Sequence, residues 1–216
     1  KASRGQQSAI WQAMLLAADL PTTKNIVIDG FIISGGQKMS KSIGNVINPF
    51  DVIEMFKDVT DYPEDVLRFI LLHEVPSFED GDITVESIKT AYTAYLANGI
   101  GNLTNRIMKM ATSNGVRQET LDSRQKREIQ GFDTNAAIKS CTHDMHMLDE
   151  YIATNEPFKV EKVEEEKGKN MIRHCLTSLS EIADNLESFL PRTSAKILEC
   201  IRENKMPEKP LFARLP

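Results

Sequence analysis

Lys38-Met39-Ser40-Lys41-Ser42 is the stretch of this 216-residue chain whose residue types and spacing point most directly to chemistry. Two ammonium groups three residues apart, in a polar segment bracketed by Gly35-Gly36 and Gly44, can close over a polyphosphate while hydroxyls and backbone amides reach its oxygens. The same residues also describe a basic surface loop, and the glycine-to-Gly-Lys-Ser/Thr spacing of a Walker loop is missing. Cys141, His143 and His146 lie close in sequence and His174 adjoins Cys175. No Cys-x-x-Cys pair exists, and both cysteines fall on apolar helical stripes, so packing is expected there and no zinc. With Cys200 the cysteines number three at wide spacing, which fits reduced thiols better than a disulfide framework.

Charge is unevenly spread. The formal net charge is −5, but residues 1–50 carry five basic and two acidic side chains, residues 51–86 two and eleven, and the remainder nineteen and eighteen. A phosphate-rich partner should avoid the middle segment. Arg106, Lys109, Arg117, Arg124, Lys126 and Arg127 outnumber Glu119 and Asp122, a basic stretch able to face either a nucleic-acid backbone or solvent.

The elements that must position these residues are mainly helical. Ala9 to Ala18 reads as helix, Ile26-Val27-Ile28 and Phe31-Ile32-Ile33 as strand material, and residues 34–45 as a loop. Asn48-Pro49 and Pro63-Glu64-Asp65 start helices with proline in the first turn. From Thr84 the helical period takes over. Ile88, Tyr92, Tyr95, Gly99, Leu103, Ile107 and Met110 predict one helix of about 25 residues, with Asn102 and Arg106 on one flank. Further stripes follow Asn135 and Ile172, separated by a charged connection from Glu161 to Lys169, and Thr193 to Arg202 gives a short last helix. Pro207, Pro210 and Pro216 predict an extended tail. The expected fold is mainly α, a helical bundle on a small α/β segment.

At 41% hydrophobic and 26% charged residues the composition excludes collagen-like, low-complexity and wholly disordered chains. The length suits one or two domains. No apolar run is long enough to span a membrane, and residues 1–20 lack a secretory pattern, so a cytoplasmic protein is expected. The chain begins at Lys1 with residues 9–16 already reading as a packed helix, which suggests a piece of something longer.

The pentapeptide at 38–42 is identical to the signature loop of class I aminoacyl-tRNA synthetases. Gly44-Asn45-Val46-Ile47-Asn48-Pro49, Leu67 to Leu72, Phe78-Glu79-Asp80-Gly81-Asp82, Leu96 to Arg106 and Leu211-Phe212-Ala213-Arg214 follow one another as in methionyl-tRNA synthetases. The chain resembles the C-terminal portion of that family. The resemblance implies the end of a Rossmann-like catalytic domain with a linking fold over residues 1–83, an α-helical anticodon-binding domain over 84–203 and an extended tail over 204–216. It implies ATP with Mg²⁺, methionine and tRNA(Met) as the parent enzyme's reactants, with no membrane partner and a monomer expected.

Residue roles follow from the same resemblance. Lys41, assisted by Lys38, matches the lysine that stabilises phosphate charge as the bond to the α-phosphate breaks, with Met39, Ser40 and Ser42 completing the ATP-binding loop. Asn102 and Arg106 match the pair that reads the anticodon. Phe158 stands where the family usually places a tryptophan that stacks on an anticodon base. Trp11 and Gln7 match positions near the methionine pocket, although Gln7 replaces a common histidine, Gly5-Gln6 a usual Arg-Phe and Asp29 another histidine, while Lys57 to Tyr62 resembles a small insertion. The His-Ile-Gly-His-type motif of the family is absent, so this chain alone is not expected to activate methionine. Alternatives are another class I synthetase, such as a leucyl, isoleucyl, valyl or cysteinyl enzyme, and a stand-alone tRNA-binding module.

Overall fold

The computed structural model describes residues 2–118 and 127–215, with side chains from residue 8 onward. Arg124 and Lys126 of the basic stretch, with Glu119 and Asp122, lie outside the described residues. The fold is mostly helical with one small sheet. Helix α1 (Ala2–Ala17) precedes strands β1 (Ile32–Ser34) and β2 (Gln37–Lys38). Next come α2 (Pro49–Phe56), α3 (Pro63–Glu74), the short strand β3 (Gly81–Asp82) and α4 (Val85–Ala91). After α5 (Asn102–Ser113) come α6 (Thr134–Asn155), α7 (Pro157–Val160), α8 (Glu165–Leu186) and α9 (Pro191–Glu203). Among the described residues no helix is long and apolar enough to cross a membrane.

Both proline-led starts are realised. Asn48 caps α2 by accepting the Phe50 N–H at 3.1 Å, and Pro63 opens α3. The expected single helix from Thr84 is differently built. Thr84 and Ser87 form a capping box on α4, but Tyr92–Gly101 winds as a π-helix before α5 resumes, with a non-helical Gly99 at φ −83°, ψ −111°. Such a wide turn re-phases the apolar stripe, which sequence period alone does not disclose. Two further expectations are corrected. Ile26-Val27-Ile28 lies exposed with no strand partner among the described residues, since a β-branched triplet becomes a strand only where a ladder exists to receive it. The charged connection ends early, because α8 already begins at Glu165.

The sheet has order β2-β1-β3, with β1 antiparallel to β2 and parallel to β3. Residues 34–38, read as loop, thus form a hairpin instead, through Gly35 (φ +62°) and Gly36 (φ +73°), the left-handed pair that a two-residue turn of matching twist requires. Just before β1 and β3 the two segments approach so closely that a Cβ on Gly30 would lie 1.6 Å from the Glu79 carbonyl oxygen.

One hydrophobic core runs from Val52 in α2 to Phe212 in the tail, through Phe56, Phe69, Tyr92, Ile100, Ile107, Ile138, Leu179 and Ile197. Polar groups fasten its seams. The buried Asp65 of α3 accepts both the N–H and the hydroxyl of Thr193, each at 2.7 Å, closing the N-terminus of α9. Arg68 donates to the carbonyls of Phe189 and Ser188. Asn135 of α6 donates to the carbonyls of Leu72 and His73, serving the free end of α3. Asp133 caps α6 through the Ala136 N–H and also receives the Ser77 hydroxyl, bonds that hold its carboxyl below the usual carboxylate range.

The proline-rich tail is irregular, and it is docked. Leu211 and Phe212 are each 3% exposed. Thr60 Oγ1 donates to the Leu211 carbonyl at 2.6 Å, the Ala213 N–H to Val59, and the Tyr92 hydroxyl to the Ala213 carbonyl at 2.6 Å. Burial of that phenol pushes it up to about 12, keeping it a donor.

Candidate functional site

The loop that carries Lys38 and Lys41 leaves the hairpin at β2 and returns through a turn. Ser40 is the pivot: its carbonyl accepts the N–H groups of Ile43 (3.2 Å) and Gly44 (3.1 Å), with Gly44 at φ +74°. Asn45 supports the loop from within. Its Oδ1 accepts the Ser40 N–H at 2.9 Å and its amide reaches the Ser34 and Lys38 carbonyls, each at 3.4 Å. The Ser40 and Ser42 hydroxyls are 2.7 Å apart, while Met39 is half-buried.

Two carboxylates of the acidic segment hold the hairpin's other side. Asp80 accepts the Phe31 N–H at 2.8 Å, and Asp82 accepts those of Gly35 (2.8 Å) and Gly36 (2.7 Å). Lys41 and Lys38 are both exposed. The Lys38 ammonium lies 5.1 Å from the centre of the Phe31 ring, within cation–π range. The arrangement can present two cations, two hydroxyls and loop amides to an anionic ligand from an exposed edge. Asn45, Asp80 and Asp82 were not identified as site residues from sequence, because the bonds from Asp80 and Asp82 join positions 46 to 49 residues apart.

On the bundle, Asn102 and Arg106 share α5 and face outward. The Arg106 guanidinium pairs with the Asp149 carboxylate of α6. Beside them a small crevice of about 110 Å³ is lined by Tyr95, Asn98, Gly99, His146 and Asp149. Phe158 sits on α7, just past the corner at which Glu156 (φ +44°) ends α6 and Pro157 starts the next turn. Phe158 is 41% exposed, while Pro157 beside it is buried. Asp149 to Asn155 spans roughly 9 Å of helix. The Lys159 ammonium lies over the Phe158 ring, 6.0 Å from its centre.

Trp11 is 57% exposed and lines an apolar groove with Ile10 and Ile26. Gln7 is on α1, and its side chain lies outside those described. Cys141 and Cys175 are core residues whose thiols burial pushes up to about 11, and no group of three or more potential metal ligands occurs among the described residues.

Comparison with known proteins gives a consistent outcome. The family described as tRNA synthetases class I (M) matches residues 7–108. The chain is 28% identical over 209 residues to a methionine–tRNA ligase of Rhizobium meliloti (strain 1021), and 30% identical over 210 residues to one of Brucella suis biovar 1 (strain 1330). Each alignment covers 88% of this chain and 39% of the relative, so the chain spans about two fifths of the length of these curated relatives. In fold it is similar to Mycobacterium tuberculosis methionyl-tRNA synthetase in complex with methionyl-adenylate, with a TM-score of 0.71 at 23% identity over 96% of this chain and 46% of that one.

Proposed function

We propose that the chain corresponds to the C-terminal portion of methionyl-tRNA synthetases and that its parent enzyme attaches methionine to tRNA(Met) with ATP. Residues 1–83 then carry the end of a Rossmann-like catalytic domain and its linking fold, residues 84–203 the anticodon-binding bundle, and residues 204–216 a tail that joins the two. One observation supports the reading most: the Lys38 to Ser42 loop and the helix that bears Asn102 and Arg106 belong to one continuous run of structure, since β3, paired with β1, leads through the Thr84 cap into the helical run that carries both bundle residues.

In the first half-reaction methionine's carboxylate attacks the α-phosphate of ATP and pyrophosphate leaves. Lys41 and Lys38 offset the charge that grows on the departing oxygens, a contribution realised in the transition state more than in the ground state. Mg²⁺ bound to the ATP phosphates would add further positive charge to that of Lys38 and Lys41. Exposed lysines on a loop held by hydrogen bonds can move in with ATP and out with product. In the second half-reaction the aminoacyl group passes to the tRNA 3′ end.

Asn102 and Arg106 read one unpaired base by its edge while Phe158 offers a face for stacking. Arg106 must exchange Asp149 for the base, which makes the ion pair a resting position for the guanidinium. Trp11 and Gln7 contribute to the methionine pocket, and the exposed apolar surface of α1 and Ile26 to Ile28 supports packing against further catalytic structure. We place this enzyme in the cytoplasm as a monomer. The test is charging by the full-length parent: methionine, and not leucine, isoleucine, valine or cysteine, should be transferred to tRNA(Met). The isolated chain should show no ATP–pyrophosphate exchange, and measurable exchange by it would overturn the division of labour.

A further inference from the structure

We propose that Asp82 is a positioning residue for the phosphate loop: by accepting the N–H groups of Gly35 and Gly36 it sets the turn from which Lys38 and Lys41 are presented. The inference rests on the reading of that loop as a polyphosphate site and assigns its control to a residue more than forty positions away.

The geometry is specific. One carboxylate oxygen takes Gly35 at 2.8 Å and the other takes Gly36 at 2.7 Å, distances of charge-assisted bonds. Two successive N–H groups in left-handed conformation make a concavity that attracts anions, and here an internal carboxylate occupies it. The hairpin needs that tie, because β2 has two residues and a ladder so short is marginal in water. Asp82 also pairs through its backbone with Ile33, so main chain and side chain grip β1 and the turn at adjacent points. Behind it, Ile83 is buried and Thr84 caps α4. The carboxylate is therefore mounted on the packed body, whereas the loop it holds is exposed.

Positioning and simple electrostatics predict opposite signs. Removing a negative charge near a polyphosphate site should tighten anion binding; loosening the turn should weaken it. The experiment uses the 216-residue chain, the variants Asp82→Asn, Lys41→Ala and the double variant, with Mg²⁺ pyrophosphate as probe. Amide exchange of Gly35 and Gly36 is followed by NMR. Asp82→Asn should speed exchange at these two glycines by about tenfold or more, leave α5 and α8 amides unchanged, and weaken pyrophosphate binding. The double variant should bind no worse than Lys41→Ala alone, because both act through the same loop. Equal or tighter binding by Asp82→Asn, unchanged glycine exchange, or full additivity overturns the proposal. If Lys41→Ala itself leaves pyrophosphate binding untouched, it is the phosphate reading of the loop that falls. If α5 and α8 exchange also accelerates, Asp82 is a general fold residue and the proposal fails as well.

Discussion

The hairpin and loop of residues 31–48 and the helical bundle are held by different forces. In the first, strands of two or three residues leave Phe31, Ile32, Lys38 and Lys41 exposed, and order comes from directional bonds to Asn45, Asp80 and Asp82. In the second, Tyr92, Leu96, Ile107, Ile138 and Ile172 are buried, and order comes from removing apolar surface from water. A loop held by a few hydrogen bonds to solvent-facing groups can rearrange at small cost, whereas a packed interior moves as a block. On the proposed reading, charge chemistry would sit on the hydrogen-bonded, exposed part and recognition on the packed part.

Substitutions can break that contrast. The largest effect expected is on catalysis without stability: Lys41→Ala in the full-length parent should slow ATP–pyrophosphate exchange by about 3–4 kcal/mol of transition-state stabilisation and leave thermal unfolding where it was. A lowered melting temperature would mean that the loop lysine is structural. The converse is Phe212→Ala, which should cost about 3–5 kcal/mol in urea unfolding while the Gly35 and Gly36 amides keep their exchange rates below the transition. A loss under 1 kcal/mol would remove the tail from the core.

Recognition comes next. Arg106→Ala should weaken binding to a methionine-anticodon hairpin by about 1–3 kcal/mol and barely affect a scrambled loop; equal losses on both would leave Arg106 a phosphate contact. Phe158→Trp should strengthen the same binding by about 1 kcal/mol or less, since a larger ring adds overlap. The smallest effect is on acid stability. Asp133 is held below its ordinary value, first by the Ala136 N–H, so its contribution is present above the unfolded-state value and lost as pH falls through the folded one. Asp133→Asn should flatten the acid limb of a stability-against-pH curve.

Features written in neighbouring residues were legible in the sequence. Asn48-Pro49 and Pro63 announced helices, and the spacing of Asn102 and Arg106 a shared flank, because caps, prolines and helical period are local. What depended on distant partners was not. Asp82 read as one more charge in an acidic segment until Gly35 and Gly36 were beside it. Ile26-Val27-Ile28 had strand composition without a strand to pair. The π-helical turns from Tyr92 to Gly101 left the apolar spacing looking like an ordinary helix, since both windings bring residues four and five apart near one another. Leu211 and Phe212, flanked by prolines, carried no period at all, and only the Val59, Thr60 and Tyr92 contacts reveal what they cover.

That tail has a consequence for how the protein is made. Thr60 and the Leu211 carbonyl that it bonds are 151 positions apart, and contacts this distant form late. While a ribosome is still adding the intervening residues, the greasy seat of Phe212 stands open to water, to chaperones and to proteases. A transcript interrupted before residue 211 should therefore yield not a shorter working domain but a substrate for quality control.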